Sequence, residues 1–519
     1  MNQSASRPKL AAFEERRAHV RATMGGKERI DRLHAAGLKT ARERIGLMLD
    51  EGSFEEFGTF TTAEPVEQRA YTPGDGRITG FGKIGDRPVG IVADDATVKG
   101  ASASVTNNRK ADRIFELSVK GGHPFVFLGE TRGSRLPETL GSDGLSTVSG
   151  EAVSWSLRAR RIPMATVITG PSFGGSTFVA AMSDFVVQVK GTTLAVVSPR
   201  VIEMATGERT DLEGIGGSDL HATRTGQIDR EAETEEEAFD LIRRWLSYLP
   251  PNSREQPPEA APVAPASRLK PSEIVPEERH GQYDMKHLLG AIFDGGSVFE
   301  FAPRFGPSLV AAFARLEGRP VAVLASNPAS GAGALEPDGC DKASRLLCMA
   351  DSFGLPVVLI HDSPGFFVGQ QYETRRIQSK TILFLQALMQ FSGPRLSVIV
   401  RKSFGLAFTS LGGTGTGSDL LVSWPAAEIG FMDPHVAANV LHADDLAQLS
   451  PAERRQKRLE WASVYARDTD PYAIARGMGI DEIIHPDETR TVLSSALRRA
   501  EGRERPQAGS PLQFWPTCW

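Results

Sequence analysis

Four glycine-bearing segments carry the residue types from which chemistry could be built. They are Glu130-Thr-Arg-Gly-Ser-Arg135, Gly170-Pro-Ser-Phe-Gly-Gly175-Ser176, Asp362-Ser-Pro-Gly-Phe-Phe-Val-Gly369 and Arg401-Lys-Ser-Phe-Gly405-Leu-Ala407. Each follows a short apolar run and reads as a turn leaving a strand. Glycine there permits positive φ and lets a ligand come close to the backbone. Where the turn opens a helix, the first N–H groups have no acceptor within the helix and point outward. A pair of such groups can hold an oxyanion about 2.7–3.1 Å away, which suits a thioester carbonyl becoming an enolate. One turn of this kind is ordinarily only a tight connection. Four at corresponding places imply two holes, each able to stabilise a carbonyl oxygen on one of two substrates.

Other chemistries leave little trace. There is no GxxxxGK[ST] loop for ATP phosphates, no HExxH metal motif, no CxxC pair and no convincing GxSxG elbow. The Gly413–Gly417 run GTGTG lacks a strong preceding strand and reads as a loop near the site. Histidines are scattered; of these, His221 and His361 merit inspection, and a structural role is expected for both. Cys340 and Cys348 stand eight apart on an expected helix and read as packing residues.

The elements that must position these turns occur twice. Arg87-Pro88-Val89 recurs 232 residues later as Arg319-Pro320-Val321. Lys110-Ala111 matches Lys342-Ala343, Arg113 matches Arg345, and Gly122-x-Pro124 matches Gly354-x-Pro356. The run ending at Glu130 matches that ending at Asp362, and Gly133 matches Gly365. Ser172-Phe173-Gly174 matches Ser403-Phe404-Gly405, and Ser183-Asp184 matches Ser418-Asp419. So long a period marks duplicated domains rather than a solenoid. A Pro- and Ala-rich stretch from Pro250 to Pro271 reads as an extended linker, giving domains of 1–255 and 270–519. Apolar runs alternating with helices imply a buried, mostly parallel sheet in each. The segment from Ala41 to Gly58 reads as an amphipathic helix ending near Gly52, then an extended piece.

The 519 residues exceed what one core usually serves. With 40% apolar and 24% charged residues and a net charge of -5, the chain reads as an ordinary globular protein without the basic face of a nucleic-acid binder. Three cysteines argue against a disulfide framework. No run of about 18 apolar residues suggests a membrane span. Arg16, Arg17 and Arg21 are offset by Glu14 and Glu15, so the N-terminus reads as a solvated helix, and a cytoplasmic location is expected.

Over nearly its whole length the sequence resembles the β (carboxyltransferase) subunit of biotin-dependent acyl-CoA carboxylases, such as propionyl-CoA and methylcrotonyl-CoA carboxylases. The resemblance rests on ARERIGLMLDEGSFEEFG, DGRITGFGKIGDRPV, DDATVKGAS, GPSFGGSTFVAAMSDF and IGGSDLHATRTG in the first half. DSPGFFVGQQYE, RKSFGLAF and WPAAEIGFMDP carry it in the second. It implies an α/β protein of two tandem crotonase-like (ClpP-type) ββα superhelix domains, forming a homo-hexamer. Its active sites would lie between the N-domain of one subunit and the C-domain of another. The N-half would bind acyl-CoA, and the C-half carboxybiotin carried on a separate biotin carboxylase/carrier polypeptide, with no metal. Gly174 and Gly175 would hold the thioester oxygen; the amides of Leu406 and Ala407 would hold the biotin ureido oxygen. Gly133, Ser134, Arg135, Phe173, Gly365, Phe366, Gly405, Phe408 and Thr409 would line the substrates. Biotin would itself act as base. Several positions depart from the family pattern. Arg132-Gly133-Ser134-Arg135 replaces a GGAR-type stretch, Leu406 replaces a glycine of Gly-Gly-Ala, and Thr374-Arg375-Arg376 replaces a Gly/His-containing run. Thr409 stands where propionyl-type enzymes often carry an acyl-pocket Asp. If Leu406 fills the biotin channel, the same enolate site would serve a biotin-independent decarboxylase or lyase. A non-catalytic structural subunit is the remaining reading.

Overall fold

The apolar runs marked as buried strands are strands, and each glycine turn sits at the end of one. The computed structural model describes residues 8–136, 138–142, 144–145, 155–503 and 509–515, so Cys518 lies outside the described residues. The chain divides into two units, Met1–Glu255 and Gln256–Trp519.

The first unit runs α1 (Ala41–Met48), β1 (Glu55–Phe57), β2 (Arg77–Ile84), β3 (Arg87–Asp94), α2 (Val105–Gly121), β4 (Phe125–Thr131) and β5 (Met164–Phe173). It continues through α3 (Gly175–Met182), β6 (Phe185–Val189), β7 (Leu194–Ala195), β8 (Arg230–Ala232) and α4 (Glu235–Leu246). Its sheet order is β1-β2-β3-β4-β5-β6-β8, with β7 beside β5. The first three strands pair antiparallel and the rest parallel.

The second unit repeats this grammar. It runs β9 (Phe299–Phe301), β10 (Leu309–Leu316), β11 (Arg319–Ser326), α5 (Pro337–Phe353), β12 (Val357–Ser363), α6 (Ile377–Gln390) and β13 (Arg395–Phe404). Then come α7 (Leu406–Ser410), β14 (Leu420–Ser423), β15 (Glu428–Gly430) and β16 (Glu482–Ile483). The order β9-β10-β11-β12-β13-β14-β16, with β15 beside β13, reproduces the first sheet strand for strand. Both units are therefore crotonase-like.

The repeated residues have repeated jobs. Gly122 and Gly354 end α2 and α5 in the left-handed region, at φ 69° and 71°. Two residues later, the Pro124 and Pro356 carbonyls accept Gly90 N and Ala322 N at 2.9 and 2.8 Å, opening the parallel ladder. Asp184 and Asp419 accept the N–H of the first residues of β5 and β13, Met164 and Arg395. The buried Lys110 amine donates to Gly74 O and Arg77 O; that of Lys342 donates to Ala302 O and Phe305 O. Every residue of β4 and of β12 is buried, because both sheet faces are covered. Phe115, Phe125 and Trp155 pack ring on ring in the first core. Leu288, Leu289, Val323, Val358 and Val398 belong to the second.

Three expectations change in detail. The first helix of the Ala41–Gly58 segment stops at Met48, before Gly52, where Leu49 turns extended. Gly170–Phe173 and Arg401–Phe404 do not turn; they continue β5 and β13, and the chain turns at Gly174 and Gly405. The reason is extra pairing: β7 and β15 add hydrogen bonds along those strand ends. No described helix is long and apolar enough to cross a membrane.

Candidate active site

In the first unit the ends of β4 and β5 lie side by side, with Thr131 opposite Ser172 after a register shift. Beyond β4, Ala103 N donates to Gly133 O at 2.8 Å and Arg135 N to Ala103 O at 2.9 Å. The N–H of Ser134, between them, has no acceptor among the described residues. Beyond β5, Gly174 adopts φ 66°, ψ −123°, a conformation open to glycine, and α3 begins. A Cβ at Gly174 would sit 3.7 Å from Gly133 Cα, so the two loops meet. At the helix start, Gly175 N and Ser176 N also have no acceptor among the described residues, and Thr177 N returns to Gly174 O.

Gly174 was expected to donate to the thioester and is not free to do so. Its N–H bonds Val196 O at 3.0 Å, because pairing with β7 runs one residue past the strand. The amides left open are those of Ser134, Gly175 and Ser176.

The second unit builds the same arrangement. Leu335 N donates to Gly365 O and Phe367 N to Leu335 O, leaving Phe366 N without an acceptor among the described residues. Gly405, at φ 61° and ψ −146°, gives its N–H to Gly430 O at 2.9 Å. Leu406 N and Ala407 N open α7 without acceptors. The Leu406 side chain is 43% exposed at this turn. Phe366 and Thr409 are half-buried, and Phe408 stands edge-on to His361 at 6.3 Å.

Behind each turn a buried carboxylate ties the scaffold. Glu130 pairs with Arg44 of α1, which also binds Glu235 of α4 at 2.8 Å. Asp362 accepts from Tyr283 Oη at 2.7 Å, from Arg401 at 3.0–3.1 Å and from Lys402 N at 3.2 Å. Burial, then the neighbouring Asp362, pushes the Tyr283 phenol well above its ordinary range. Residue-type reasoning missed these ties. The one signal for them was the match of Glu130 to Asp362 in the repeat.

The two histidines singled out in the sequence are held by other partners. Burial pushes His361 down to about 4, and its ring is held by Ser403 Oγ and Leu411 O. His221 is lowered by burial and held by Leu194 O and Thr225 Oγ1. Both are structural. Arg135, expected to line substrate, is buried and committed to Asp75 Oδ1 at 2.6 Å and to Ser102. Phe173 is likewise buried at the end of β5, whereas Ser134 is exposed. Cys340 and Cys348 are buried on α5. The described residues include no group of three or more His, Cys, Asp or Glu placed to hold a metal.

The carboxyl transferase domain model matches residues 32–511. The chain belongs to the carboxyl transferase family. The propionyl-CoA carboxylase beta chain of Roseobacter denitrificans is 33% identical, over 94% of this chain and 95% of that protein. The methylmalonyl-CoA carboxyltransferase 12S subunit of Propionibacterium freudenreichii subsp. shermanii is also 33% identical, over 91% and 90%. A crystal structure of the transcarboxylase 12S hexamer, with methylmalonyl-coenzyme A and methylmalonic acid bound, superposes with a TM-score of 0.89 at 30% identity, covering 98% of this chain and 99% of that one.

Proposed function

We propose that this carboxyltransferase moves a carboxyl group from carboxybiotin, carried on a separate polypeptide, to a short or branched acyl-CoA of the propionyl or methylmalonyl type. The observation that carries the reading is the matched pair of open amide sets: Ser134, Gly175 and Ser176 in one unit, Phe366, Leu406 and Ala407 in the other. Two carbonyl oxygens, one per substrate, need two such sets.

The first unit is assigned to acyl-CoA. Arg132 lies two residues before Ser134, and its N–H bonds Gly100 O, next to Lys99; both cations are exposed and have no carboxylate partner among the described residues. Coenzyme A is an anion and suits such cations. The amides of Ser134 and Gly175 would take the thioester oxygen as negative charge develops there. The second unit is assigned to biotin, whose ring is neutral and carries one carbonyl. Apolar Phe366, Leu406 and Phe408 beside the amides of Leu406 and Ala407 fit that group. The chemistry that biotin supplies is the carboxyl group and a base for the α-proton, which accords with a site poor in side-chain bases. The chain is further proposed to act as a homo-oligomer, by analogy with the hexameric 12S protein, alongside a biotin carboxylase/carrier subunit. Thr409 is proposed to shape the acyl pocket.

The test is α-proton exchange and CO2 release from a panel of acyl- and malonyl-type CoAs, with and without free biotin. Biotin-dependent loss of CO2 from one malonyl-type CoA supports the reading. Turnover without biotin would replace it by a biotin-independent decarboxylase, the reading that holds if the Leu406 side chain fills the biotin channel.

A further inference from the structure

The duplication allows each residue behind the first amide set to be compared with its twin. At the open end of the β2–β3 ladder stands the pair Arg77–Asp94; the same rung of β10–β11 is Leu309–Ser326. Arg77 and Asp94 are both buried, with Arg77 Nε on Asp94 Oδ1 at 2.9 Å. The other carboxylate oxygen, Oδ2, accepts Glu130 N at 3.2 Å and Ser176 Oγ at 3.3 Å. Glu130 lies at the end of β4, four residues before Ser134; Ser176 lies in the first turn of α3. One oxygen thus fastens both walls that carry the open amides. In the second unit this tie is missing from both sides. Ser326 Oγ has no hydrogen-bond partner among the described residues, and Ala407 stands where Ser176 does.

A buried charge costs free energy that an uncharged pair does not, and the second unit folds with the uncharged Leu309–Ser326 rung. The first unit therefore carries a feature that the fold itself does not require. Burial raises the Asp94 carboxyl and Arg77 opposes that shift. The ion pair is neutral as a whole, so it can anchor the amides without opposing an oxyanion above them.

We infer that Asp94, through Ser176 Oγ and Glu130 N, is a positioning residue that sets the spacing of the Ser134, Gly175 and Ser176 amides. It makes the first hole rigid and leaves the second more adaptable. The inference rests on the proposed role of the first unit in holding the acyl-CoA carbonyl.

The experiment uses the full-length protein and three variants. Ser176→Ala removes the hydroxyl without stranding a charge, and Ser176→Thr restores it. Arg77→Leu with Asp94→Ser copies the rung that the second unit already folds with. Two quantities are measured: kcat and KM for α-proton exchange of the preferred acyl-CoA with free biotin, and hydrogen exchange of the backbone amides in segment 173–180. Ser176→Ala and the double variant should lower kcat by about five- to tenfold, the weight of one ordinary hydrogen bond. KM for acyl-CoA and for biotin should stay within about twofold, and the segment should exchange faster. Ser176→Thr should return both quantities to near the parent values. Unchanged segment exchange, or an unchanged kcat in a folded Ser176→Ala protein, overturns the inference. So does a loss that Thr fails to rescue. If the parent protein exchanges no acyl-CoA proton at all, the acyl-CoA reading is what fails. Segment exchange then still decides whether Asp94 holds these amides.

Discussion

The two units share a fold and an arrangement of open amides, yet they fasten those amides differently. In the first, two ion pairs lie behind the amides: Arg44 joins Glu130 to Glu235 across distant segments, and Arg77 meets Asp94 across the β2–β3 rung. In the second, Asp362 is held by its neighbour on the sheet, Arg401, and by Tyr283, while the rung below is Leu309 and Ser326. The surroundings differ in the same sense. Lys99 and Arg132 in the first unit correspond to Gly331 and Pro364 in the second, where the Phe367 ring lies against Gly331. At these positions the first copy carries charged side chains where the second has Leu309, Ser326, Gly331 and Pro364. On the proposed reading, open backbone amides would serve either carbonyl, and the side chains around them would decide which one arrives.

The sharpest way to break this comparison is Arg44→Met. It leaves Glu130 and Glu235 buried without their cation, and should cost about 3–5 kcal/mol of stability. Thermal and urea unfolding would check it. A loss below about 1 kcal/mol would show that the first unit does not depend on this ion pair. Next comes Gly175→Val. A bulky β-branched residue at the start of α3 should cost at least about 2–3 kcal/mol of transition-state stabilisation, on the order of a hundredfold in kcat/KM for acyl-CoA. Steady-state kinetics on protein shown to be folded by circular dichroism would check it.

Leu406→Gly makes the second turn resemble the first. If the leucine packs on the biotin ring, KM for free biotin should rise by about fivefold, the loss of about 1 kcal/mol of apolar contact. A fall in KM instead would mean that Leu406 narrows the channel, and would favour the biotin-independent reading. The smallest effect concerns the paired lysines. Burial lowers Lys342 to about 7 and Lys110 to about 8. Between those values and the ordinary lysine range the unfolded chain binds more protons than the folded one, so stability rises with pH there. From about 7 to about 8 only Lys342 contributes. Lys342→Met should flatten the rise in melting temperature over that interval and leave the rise above it. A slope identical to that of the parent would remove Lys342 as its source.

Much was legible in the sequence because it was written twice. The repeat of Arg-Pro-Val, Gly-x-Pro and Ser-Asp marks rungs, caps and strand starts whose roles are local, set by φ and by one hydrogen bond each. The glycine turns were legible for the same reason: Gly174, Gly133, Gly365 and Gly405 all lie at positive φ. Which amide is open was not legible. That depends on whether β7 and β15 pair one residue beyond Phe173 and Phe404, so Gly174 bonds Val196 O, and Gly175, already expected, is joined by Ser176 among the open amides. Arg135 misled for a similar reason. An arginine beside a glycine turn reads as a ligand contact until Asp75, sixty residues away, is seen to hold it. Sequence by itself determined the duplicated α/β units and the location of the turns, because those follow from periodicity and short-range conformational preference, and it pointed to the family through the resemblance of its motifs. Only the tertiary structure decided which N–H groups remain unbonded and which buried charges meet behind them, because hydrogen bonds and ion pairs in a buried site depend on segments that are neighbours in space and not in the chain.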